Sequence, residues 1–551
     1  MTKTERDKLF TRWGALKAER SSFVTHWREI SEYLLPRTGR FLASDRNKGD
    51  KRHNNIYDST GTRALRTLGA GMMAGSTSPA RPWFRLATAD PEMMASEPVK
   101  VWLHDVQRLM LDVFARSNTY RALHSMYEEL GAYGTSASII VDDFDSVIHN
   151  HTLTAGEYAI ASDYRGKVQT LYREFDLTVA QMVGEFGRDK VSPAVRTLFD
   201  RGNLDAWVQV IHAIEPRSDR DATKRDAQNM AWKSVYFEQG CEAGRYLSES
   251  GFEHFPALVP RWAASGGDIY GNSPGMEALG DIRQLQHEQL RKAQGIDYMT
   301  KPPLQVPTSM KNRDLDTLPG GVSFVDTASP TGGIRSAFEV NLRLDYLLED
   351  IRDVRERVRS TFYADLFLML AGSDRPNMTA TEVAERHEEK LLMLGPVLEA
   401  LNVEFLNPGI DRILQIMRRA GQWPEFPPDL DGVPLRVEYT SILAQAQKAV
   451  KTIAIEQGIN FAATTAQFLP AVLDRIDSDG LMDEYFDGIG FPPKAILSIR
   501  EAEQARQARA DQQQAQQQLD ATSQVAAAAR DGAAATEAIQ PNVLQQLLAA
   551  P

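Results

Sequence analysis

One pentapeptide has the spacing of a hydrolase nucleophile. Gly271-Asn272-Ser273-Pro274-Gly275 fits the G-x-S-x-G pattern, in which a serine sits on a sharp turn between a strand and a helix. That turn needs a buried strand before it and a compatible histidine and acid after it, whereas here a proline follows the serine directly. A serine at a helix N-cap with proline in the first helical position explains the same residues. The pattern therefore predicts a helix start and not a catalytic serine.

A second stretch, Gly69-Ala70-Gly71-Met72-Met73-Ala74, has the spacing of a dinucleotide-binding fingerprint. That fingerprint follows a strand, and here a polar helical stretch precedes it. We interpret these small residues as positions where two helices approach closely.

Two further groups of side chains could be imagined as metal ligands. Asp142-Asp143-Phe144-Asp145 falls where a strand ends, and aspartate favours turns. His149-Asn150-His151 alternates along a possible strand, so both imidazoles could face one side, but no third or fourth ligand follows at a suitable spacing. The chain also lacks a Walker A motif and an H-E-x-x-H motif. The sequence thus predicts no catalytic residues, no metal site, no cofactor and no enzyme activity.

The composition is that of a soluble, multi-part protein. Its 551 residues suggest three or four structural units, and 42% of them are hydrophobic. The single Cys241 excludes a disulfide framework and a thiolate metal cluster within one chain. The start, MTKTERDKLF, predicts no secretory signal, and no apolar run is long enough for a membrane span. A net charge of −12 argues against a tight, static DNA binder but not against a conduit through which DNA slides.

Hydrophobic spacing predicts the elements that carry these residues. Helices are expected over 1–35, Ser59–Ala74 and Pro98–Gly131, with Arg20 the one polar member of the first apolar stripe. Short alternating segments between Ser136 and Trp262 predict an antiparallel β subdomain, with one helix near 178–187. The strand candidates are Ser138–Val141, Val168–Phe175, Trp207–Ile214 and Trp232–Phe237.

Two long helices then bracket a small segment. They are predicted over Pro274–Met299 and Asn341–Phe362, about 30–40 Å each, around strand candidates Leu304–Val306 and Val322–Val325. An apolar loop is expected over 362–378, before a capping box at Thr379–Glu382.

The remaining sequence predicts mainly helices. Gly395-Pro396 is expected to break one helix and Asn407-Pro408 to open another. The helical pattern continues from Ser441 to Arg500, with breaks at Gly458, Gly480 and Pro492-Pro493. The Ala- and Gln-rich residues 501–551 have almost no apolar face, so they predict either a frayed, disordered tail or a helix that a ring of copies gathers into a barrel.

Several segments, taken in order along residues 5–500, resemble the head-to-tail connecting (portal) proteins of podovirus-type phages. They are EYLLPRTGRF (32–41), IYDSTGTRALRTLGAGMMAGSTSPARPWFRL (56–86), GEYAIASDYRGKVQTLYREFDLT (156–178), YGNSPGMEALGDIRQLQ (270–286) and, most specific, NMTATEVAERHEEKLLMLGPVLEALNVEFLNPGIDRIL (377–414).

The resemblance implies an α+β, mainly helical fold with the parts of a portal. These are a wing with an antiparallel β subdomain, a two-helix stem, a small α/β clip, a helical crown and a helical or disordered C-terminal tail. The implied ranges are 1–265 for the wing, 266–300 and 341–362 for the stem helices, 301–340 for the clip, 363–378 for a tunnel loop, 379–440 for further wing helices, 441–500 for the crown and 501–551 for the tail.

The resemblance also implies a function and partners. Portals form rings, usually of twelve copies, at one capsid vertex, where double-stranded DNA passes during packaging and ejection without sequence-specific contacts. The implied partners are terminase, the major capsid and scaffolding proteins, and tail adaptor and nozzle proteins, with no membrane. The implied locations are the virion and, during assembly, the host cytoplasm. Lys301, Lys311, Arg313 and Arg335 are candidate DNA or motor contacts in the clip, although each could equally be a solvated surface charge.

Helix geometry supports a ring. Twelve stem helices packed about 8–10 Å apart give a circumference near 110 Å and leave a bore of roughly 25 Å, wide enough for a DNA duplex. Such a ring uses heterologous contacts, and the mixed charges of the second stem helix suit contacts between subunits. The alternatives are another virion structural or internal protein without a closed ring, and an enzyme of unrecognised type with titratable groups clustered in one pocket.

Overall fold

A computed structural model describes most of the chain up to residue 440 and short stretches beyond it. The described residues are 5–41, 55–90, 93–94, 96–221, 223–224, 226–238, 245–306, 335–336, 344–371, 394–425, 427–430, 434–440 and scattered residues between 455 and 516. The chain divides into two compact units, Met1–Gln447 and Lys448–Pro551. In the second unit, residues 458–466 are helical, and the residues just before Gly458 lie outside the described residues, so the helix break expected there stays a prediction. No helix in the described residues is both long and apolar enough to cross a membrane.

The first two predicted helices are confirmed as α1, Glu5–Tyr33, and α2, Thr60–Ser76. Arg20 lies in the buried stripe of α1, where its guanidinium donates to the backbone carbonyl of Tyr158. The polar member of the stripe is therefore tied to the β subdomain. This bond explains how a charged residue can lie on a buried helix face.

The third predicted helix, Pro98–Gly131, is wrong as a single element. It is two helices, α3, Glu97–Arg116, and α4, Thr119–Tyr133. The break falls at Asn118, whose side-chain amide exchanges hydrogen bonds of 2.8 and 2.9 Å with the backbone of Asn150. Asparagine competes with the helix for backbone partners, and here its partner is a neighbouring strand.

The predicted antiparallel β subdomain is confirmed and consists of two sheets. One sheet has five strands in the order β4-β5-β6-β7-β8, and the other has three in the order β3-β2-β9. The helix expected near 178–187 is α5, Val179–Phe186, and a further short helix, α6, spans Pro193–Asp200. The strands are β2 Ala137–Asp143, β3 Val147–Leu153, β4 Tyr158–Ser162, β5 Val168–Thr178, β6 Trp207–Pro216, β7 Trp232–Glu238, β8 Ser248–Phe252 and β9 Ala257–Leu258.

The two long bracketing helices are confirmed as α7, Pro274–Thr300, and α8, Leu344–Thr361. Of the segment between them, strand β10, Leu304–Gln305, pairs antiparallel with β11, Arg335–Ser336. The strand candidate Val322–Val325 lies outside the described residues.

The apolar loop predicted over 362–378 is wrong in part, because Ala364–Ala371 forms a helix, α9. Leu366 and Phe367 of α9 are buried, so tertiary packing favours helix in this apolar stretch. The capping box at Thr379–Glu382 lies outside the described residues.

The prediction that Asn407-Pro408 opens an α-helix is correct for the position where that helix begins, but no break separates it from the preceding helical residues. Helical residues 394–401 continue through a π-helical turn, Asn402–Leu406, into α10, Asn407–Arg419. The amide of Asn407 bonds to the carbonyl of Asn402, five residues earlier. Because proline lacks an N–H and crowds the carbonyl four residues before it, the wider turn lets the helix continue across Pro408. Strand β12, Leu435–Tyr439, pairs with β1, Phe84–Thr88.

Candidate functional site: the paired helices and their anchor

The paired helices α7 and α8 run antiparallel and turn their apolar faces toward the rest of the first unit. Leu279, Ile282 and Leu285 of α7 are at most 6% exposed, and Val354 and Val358 of α8 are fully buried. Spacings of three and four residues place each set on one face of its helix. Both helices are therefore packed firmly over the half that adjoins the rest of this unit.

A single buried carboxylate joins three helices at this packed half. Asp58 lies just before α2, and its side chain is 6% exposed. One of its oxygens accepts from the amide and hydroxyl of Thr60, at 2.8 and 2.6 Å. The other accepts from Arg355 of α8, at 3.1 and 2.7 Å, and from Gln289 of α7, at 3.1 Å. Asp58 thus connects the start of α2 to both long helices.

The electrostatics of this anchor favour the charged carboxylate. Burial by itself raises the pKa of Asp58, but the hydrogen bonds from Thr60 and Arg355 outweigh it and hold the pKa below its usual value. The Asp58 anchor is therefore ionised and paired at neutral pH.

Gln286 of α7 completes the anchor through the backbone. Its side-chain oxygen accepts from the amides of Tyr57 and Asp58, both at 2.7 Å, and its side-chain nitrogen donates to the carbonyl of Asp58 at 2.9 Å. Every polar atom of this buried amide is used, which explains a glutamine among the apolar residues of α7.

Two charged contacts link α7 to α8 directly. Arg357 lies 3.4 Å from Asp281 across the pair and 2.8 Å from Asp353 on its own helix. Glu288 has a raised pKa, first because it is buried and then because Asp350 lies opposite. The Arg357–Asp281 ion pair therefore joins the two helices, whereas Glu288 and Asp350 bring like charges together between them.

The half of the pair farther from the anchor exposes large apolar side chains. On α7, Ile296 is 40% exposed and Tyr298 and Met299 are each 49% exposed. On α8, Leu348 is 37% exposed. Exposed apolar residues grouped at one end of a helix pair are typical of a surface that another chain covers.

The outer face of α8 carries a row of alternating charges. Glu349, Arg352, Glu356 and Arg359 follow one another at spacings of three and four residues and are all exposed. Within the described residues, none of the four takes part in an ion pair or hydrogen bond. The row lies on a different face from Asp350 and Arg357, which turn toward α7.

The four predicted contact residues are only partly described. Lys301 is exposed at the C-terminal end of α7. Arg335 pairs with Gln305 through the β10–β11 backbone. Lys311 and Arg313 lie outside the described residues, so whether the four side chains form one surface stays a prediction.

Ser273 is a helix cap, as predicted. Its hydroxyl accepts from the amide of Met276 at 3.0 Å, donates to the carbonyl of Ala132 at 2.8 Å, and is fully buried. The hydroxyl therefore both donates and accepts a hydrogen bond within the fold, so this serine is not placed to attack a substrate.

The stretch Gly69–Ala74 is helical and closely packed, as predicted. A β-carbon added at Gly69 would lie 2.7 Å from Glu128 Cγ of α4, and one added at Gly71 would lie 2.6 Å from Phe367 Cβ of α9. Both values are below an ordinary carbon contact of about 3.5–4.0 Å. The glycines therefore allow two neighbouring helices to approach α2.

The acidic and histidine motifs have the predicted structural roles. Asp143 accepts from the amide and hydroxyl of Ser146 in the β2–β3 turn. The rings of His149 and His151 face one side, 4.7 Å apart, and burial, then Arg173 and His149, lowers the pKa of His151 to about 4. Across the described part of the chain, no three acidic, histidine or cysteine side chains come together as a metal site.

The sequence reasoning did not single out the anchor residues. Asp58 lies in Asp58-Ser59-Thr60, a polar triplet ahead of a helix, and this pattern alone predicts a local cap. Its bonds to Arg355, 297 positions away, depend on the tertiary fold. The clearest available signal was Gln286, a polar residue inside an otherwise apolar face.

Comparison with known proteins identifies the family to which the chain belongs. Residues 6–497 match the family described as "Bacteriophage head to tail connecting protein". The chain is 62% identical over 515 residues to the "Probable portal protein" of Bordetella phage BPP-1, covering 94% of this chain and 93% of the relative. It is 45% identical over 545 residues to the "Portal protein" of Salmonella phage epsilon15, covering 99% and 98%.

Solved structures give a weaker likeness. A chain from the neck of an empty gene transfer agent particle, computed with C6 symmetry, aligns over 77% of this chain and 92% of its own length, with 11% identity and a TM-score of 0.33. A chain from the native neck, computed with C12 symmetry, aligns over 73% and 89%, with 10% identity and a TM-score of 0.33. TM-scores this low do not establish a shared fold.

Proposed function

The chain belongs to the bacteriophage head to tail connecting protein family, and we propose that its copies form the ring at one capsid vertex through which DNA enters and leaves. It is a portal, or head–tail connector, subunit and not an enzyme. The observation that carries this function is the combination of high identity with nearly complete coverage of the "Probable portal protein" of Bordetella phage BPP-1, 62% over 94% of this chain.

Within this function, each part of the chain receives a role. We assign 1–265 and 379–440 to the wing, 266–300 and 341–362 to the stem, 301–340 to the clip, 363–378 to the tunnel loop, 441–500 to the crown, and 501–551 to a tail beyond it. The antiparallel packing of α7 against α8 supports the stem assignment. The Asp58 anchor would hold that stem at a fixed angle to the wing.

The row of alternating charges on α8 supports a ring contact through the stem. Glu349, Arg352, Glu356 and Arg359 are exposed and without ion-pair partners in the described part of a single copy. In a ring, each copy presents one face to the opposite face of its neighbour, so a row of both signs could pair with a complementary row and fix the register.

Exposed apolar residues at the far end of the stem support the same contact. Ile296, Met299 and Leu348 are 40%, 49% and 37% exposed in a single copy. If neighbouring copies bury these side chains, the hydrophobic effect stabilises the contact whose register the charged row sets.

DNA and the packaging motor are proposed partners. The overall charge of −12 suits a channel that lets DNA slide, because it avoids deep electrostatic wells for phosphate. Lys301, Lys311, Arg313 and Arg335 remain candidates for sparse phosphate or terminase contacts at the clip. The proposed sites of action are the virion and, during assembly, the host cytoplasm, with capsid, scaffolding, tail adaptor and nozzle proteins as the other partners.

A complementation experiment tests the function. A phage that lacks its own copy of this gene should assemble heads that contain no DNA, and expression of the chain in trans should restore filled heads. Arg352→Glu, which reverses one charge of the α8 row, should restore fewer filled heads than the wild-type chain. Filled heads in the absence of any copy of the chain would refute the proposed function.

A further inference from the structure

A two-residue turn, Phe362-Tyr363, joins α8 to α9, and this corner contains a strained residue. Tyr363 has a φ of 52°, in the left-handed region that residues other than glycine seldom adopt. Such a conformation persists only where surrounding contacts hold it. The packing around Tyr363 is therefore informative.

Three separate elements hold this corner. The ring of Tyr363 lies 6.2 Å from the ring of Trp262, which follows the β subdomain. The neighbouring Phe362 is completely buried. On the other side of the corner, Phe367 of α9 is 4% exposed and lies over Gly71 of α2.

The contact between Phe367 and Gly71 leaves no spare room. A β-carbon at residue 71 would come within 2.6 Å of Phe367 Cβ and closer still to its ring, well inside the usual contact of about 3.5–4.0 Å. The amide of Phe367 also donates to the carbonyl of Tyr363 at 3.2 Å. The backbone of Phe367 is thus bonded directly to the strained residue of the corner.

We infer that Tyr363 and Phe367 are positioning residues that fix the direction of the helix pair relative to α2. The inference rests on the proposed function, because the direction of α8 then decides whether neighbouring copies can meet. Helix α8 has 18 residues and is about 27 Å long, so a rotation of about 5° at the corner moves its far end by roughly 2 Å. A displacement of that size would misalign the charged row of α8 with the next copy.

The test replaces Gly71 in the presence and in the absence of the Phe367 ring. Gly71→Ala should push Phe367 away, and the same substitution should have a smaller effect in a Phe367→Ala background, which lacks the ring carbons nearest to the added β-carbon. The matched control is Gly14→Ala, since Gly14 also lies in a helix and a β-carbon there meets no atom within 4 Å. Alanine favours helix over glycine at both positions, so a loss seen only at residue 71 comes from the contact.

Two measurements separate the outcomes. In hydrogen–deuterium exchange, we expect the amide of residue 367 to exchange about tenfold faster in Gly71→Ala than in wild type, to change less when Gly71→Ala is added to Phe367→Ala, and to be unchanged in the control. In sedimentation of assembled rings, we expect Gly71→Ala to need about tenfold more subunit for half assembly, again with a smaller change in the Phe367→Ala background.

Unchanged exchange and unchanged assembly in Gly71→Ala would overturn the inference, as would a loss of the same size in the Phe367→Ala background. If the wild-type chain forms no rings at all, the proposed function fails, while the exchange measurement still tests the corner by itself.

Discussion

Arg355→Ala should destabilise the first unit far more than Arg352→Ala, although the two arginines lie three residues apart on α8. Arg355 donates two hydrogen bonds to the buried Asp58 carboxylate, whereas Arg352 is exposed and has no ion pair or hydrogen bond within the described residues of one copy. The same substitution on the same helix therefore separates the loss of the anchor from the loss of a surface charge.

The expected magnitude follows from what remains at the anchor. Removing one partner of a fully buried ion pair costs about 3–5 kcal/mol. Here the Arg355 side chain is 39% exposed and Asp58 keeps its bonds from Thr60 and Gln289, so solvent and the remaining donors reduce the loss. We expect about 2 kcal/mol for Arg355→Ala and less than about 0.5 kcal/mol for Arg352→Ala.

Urea unfolding followed by tryptophan fluorescence is a suitable assay. All eight tryptophans precede residue 448, so the signal reports on the unit Met1–Gln447 alone. Because the folded pKa of Asp58 is lowered, its stabilisation is present above the unfolded pKa and is lost as the pH falls through the folded pKa. The difference between wild type and Arg355→Ala should therefore shrink below about pH 4. Equal destabilisation by the two substitutions would refute the role assigned to the anchor.

Three further predictions concern other buried polar groups. Burial raises the pKa of Glu129 to about 8, so its neutral form stabilises the fold at low pH and that stability is lost as the pH rises from the unfolded toward the folded pKa. Glu129→Gln should therefore remove a fall of about 2 kcal/mol between pH 6 and pH 8, and an unchanged pH profile in urea unfolding would contradict this. Arg261→Lys should cost about 2–3 kcal/mol in the same assay, because lysine cannot reproduce the bonds of Arg261 to Glu404 and to the carbonyl of Gly166, and a neutral result would count against it. Ser273→Ala should lower the thermal midpoint through a loss of about 1–2 kcal/mol at the start of α7, whereas Ser125→Ala, exposed in α4, should not.

Local patterns in the sequence predicted elements well where a periodic apolar face met a clear start signal. Helix α7 is an example, because Ser273 and Pro274 mark its start and apolar residues repeat along it. The prediction of one helix from Pro98 to Gly131 was wrong because the apolar pattern continues across the break between α3 and α4. Contacts with a neighbouring strand stabilise that break. Asn118 leaves the helix for a strand that local sequence does not bring near.

The predictions for residues 364–371 and 402–408 departed from the structure for related reasons. An apolar run beside turn residues is compatible with a loop or with a helix. Here residues 364–371 form a helix because that conformation buries Leu366 and Phe367. A proline inside a helical pattern usually marks a boundary, but a π-helical turn lets the helix continue across Pro408.

The anchor was the least predictable feature, since its members are far apart in the chain. Asp58, Gln286 and Arg355 meet only through the packing of three helices, and each taken alone has an ordinary surface explanation. The hydrophobic spacing indicated where the long helices lie but not which side chains hold them.

The central claim, that this chain forms a ring, is tested most directly by negative-stain electron microscopy of the purified chain together with its mass in solution. We predict closed rings with a central hole and a mass of roughly ten to fourteen subunits, as expected for a cyclic assembly with heterologous contacts. Filaments or irregular aggregates, or a chain that remains monomeric or dimeric under every condition, would contradict the claim.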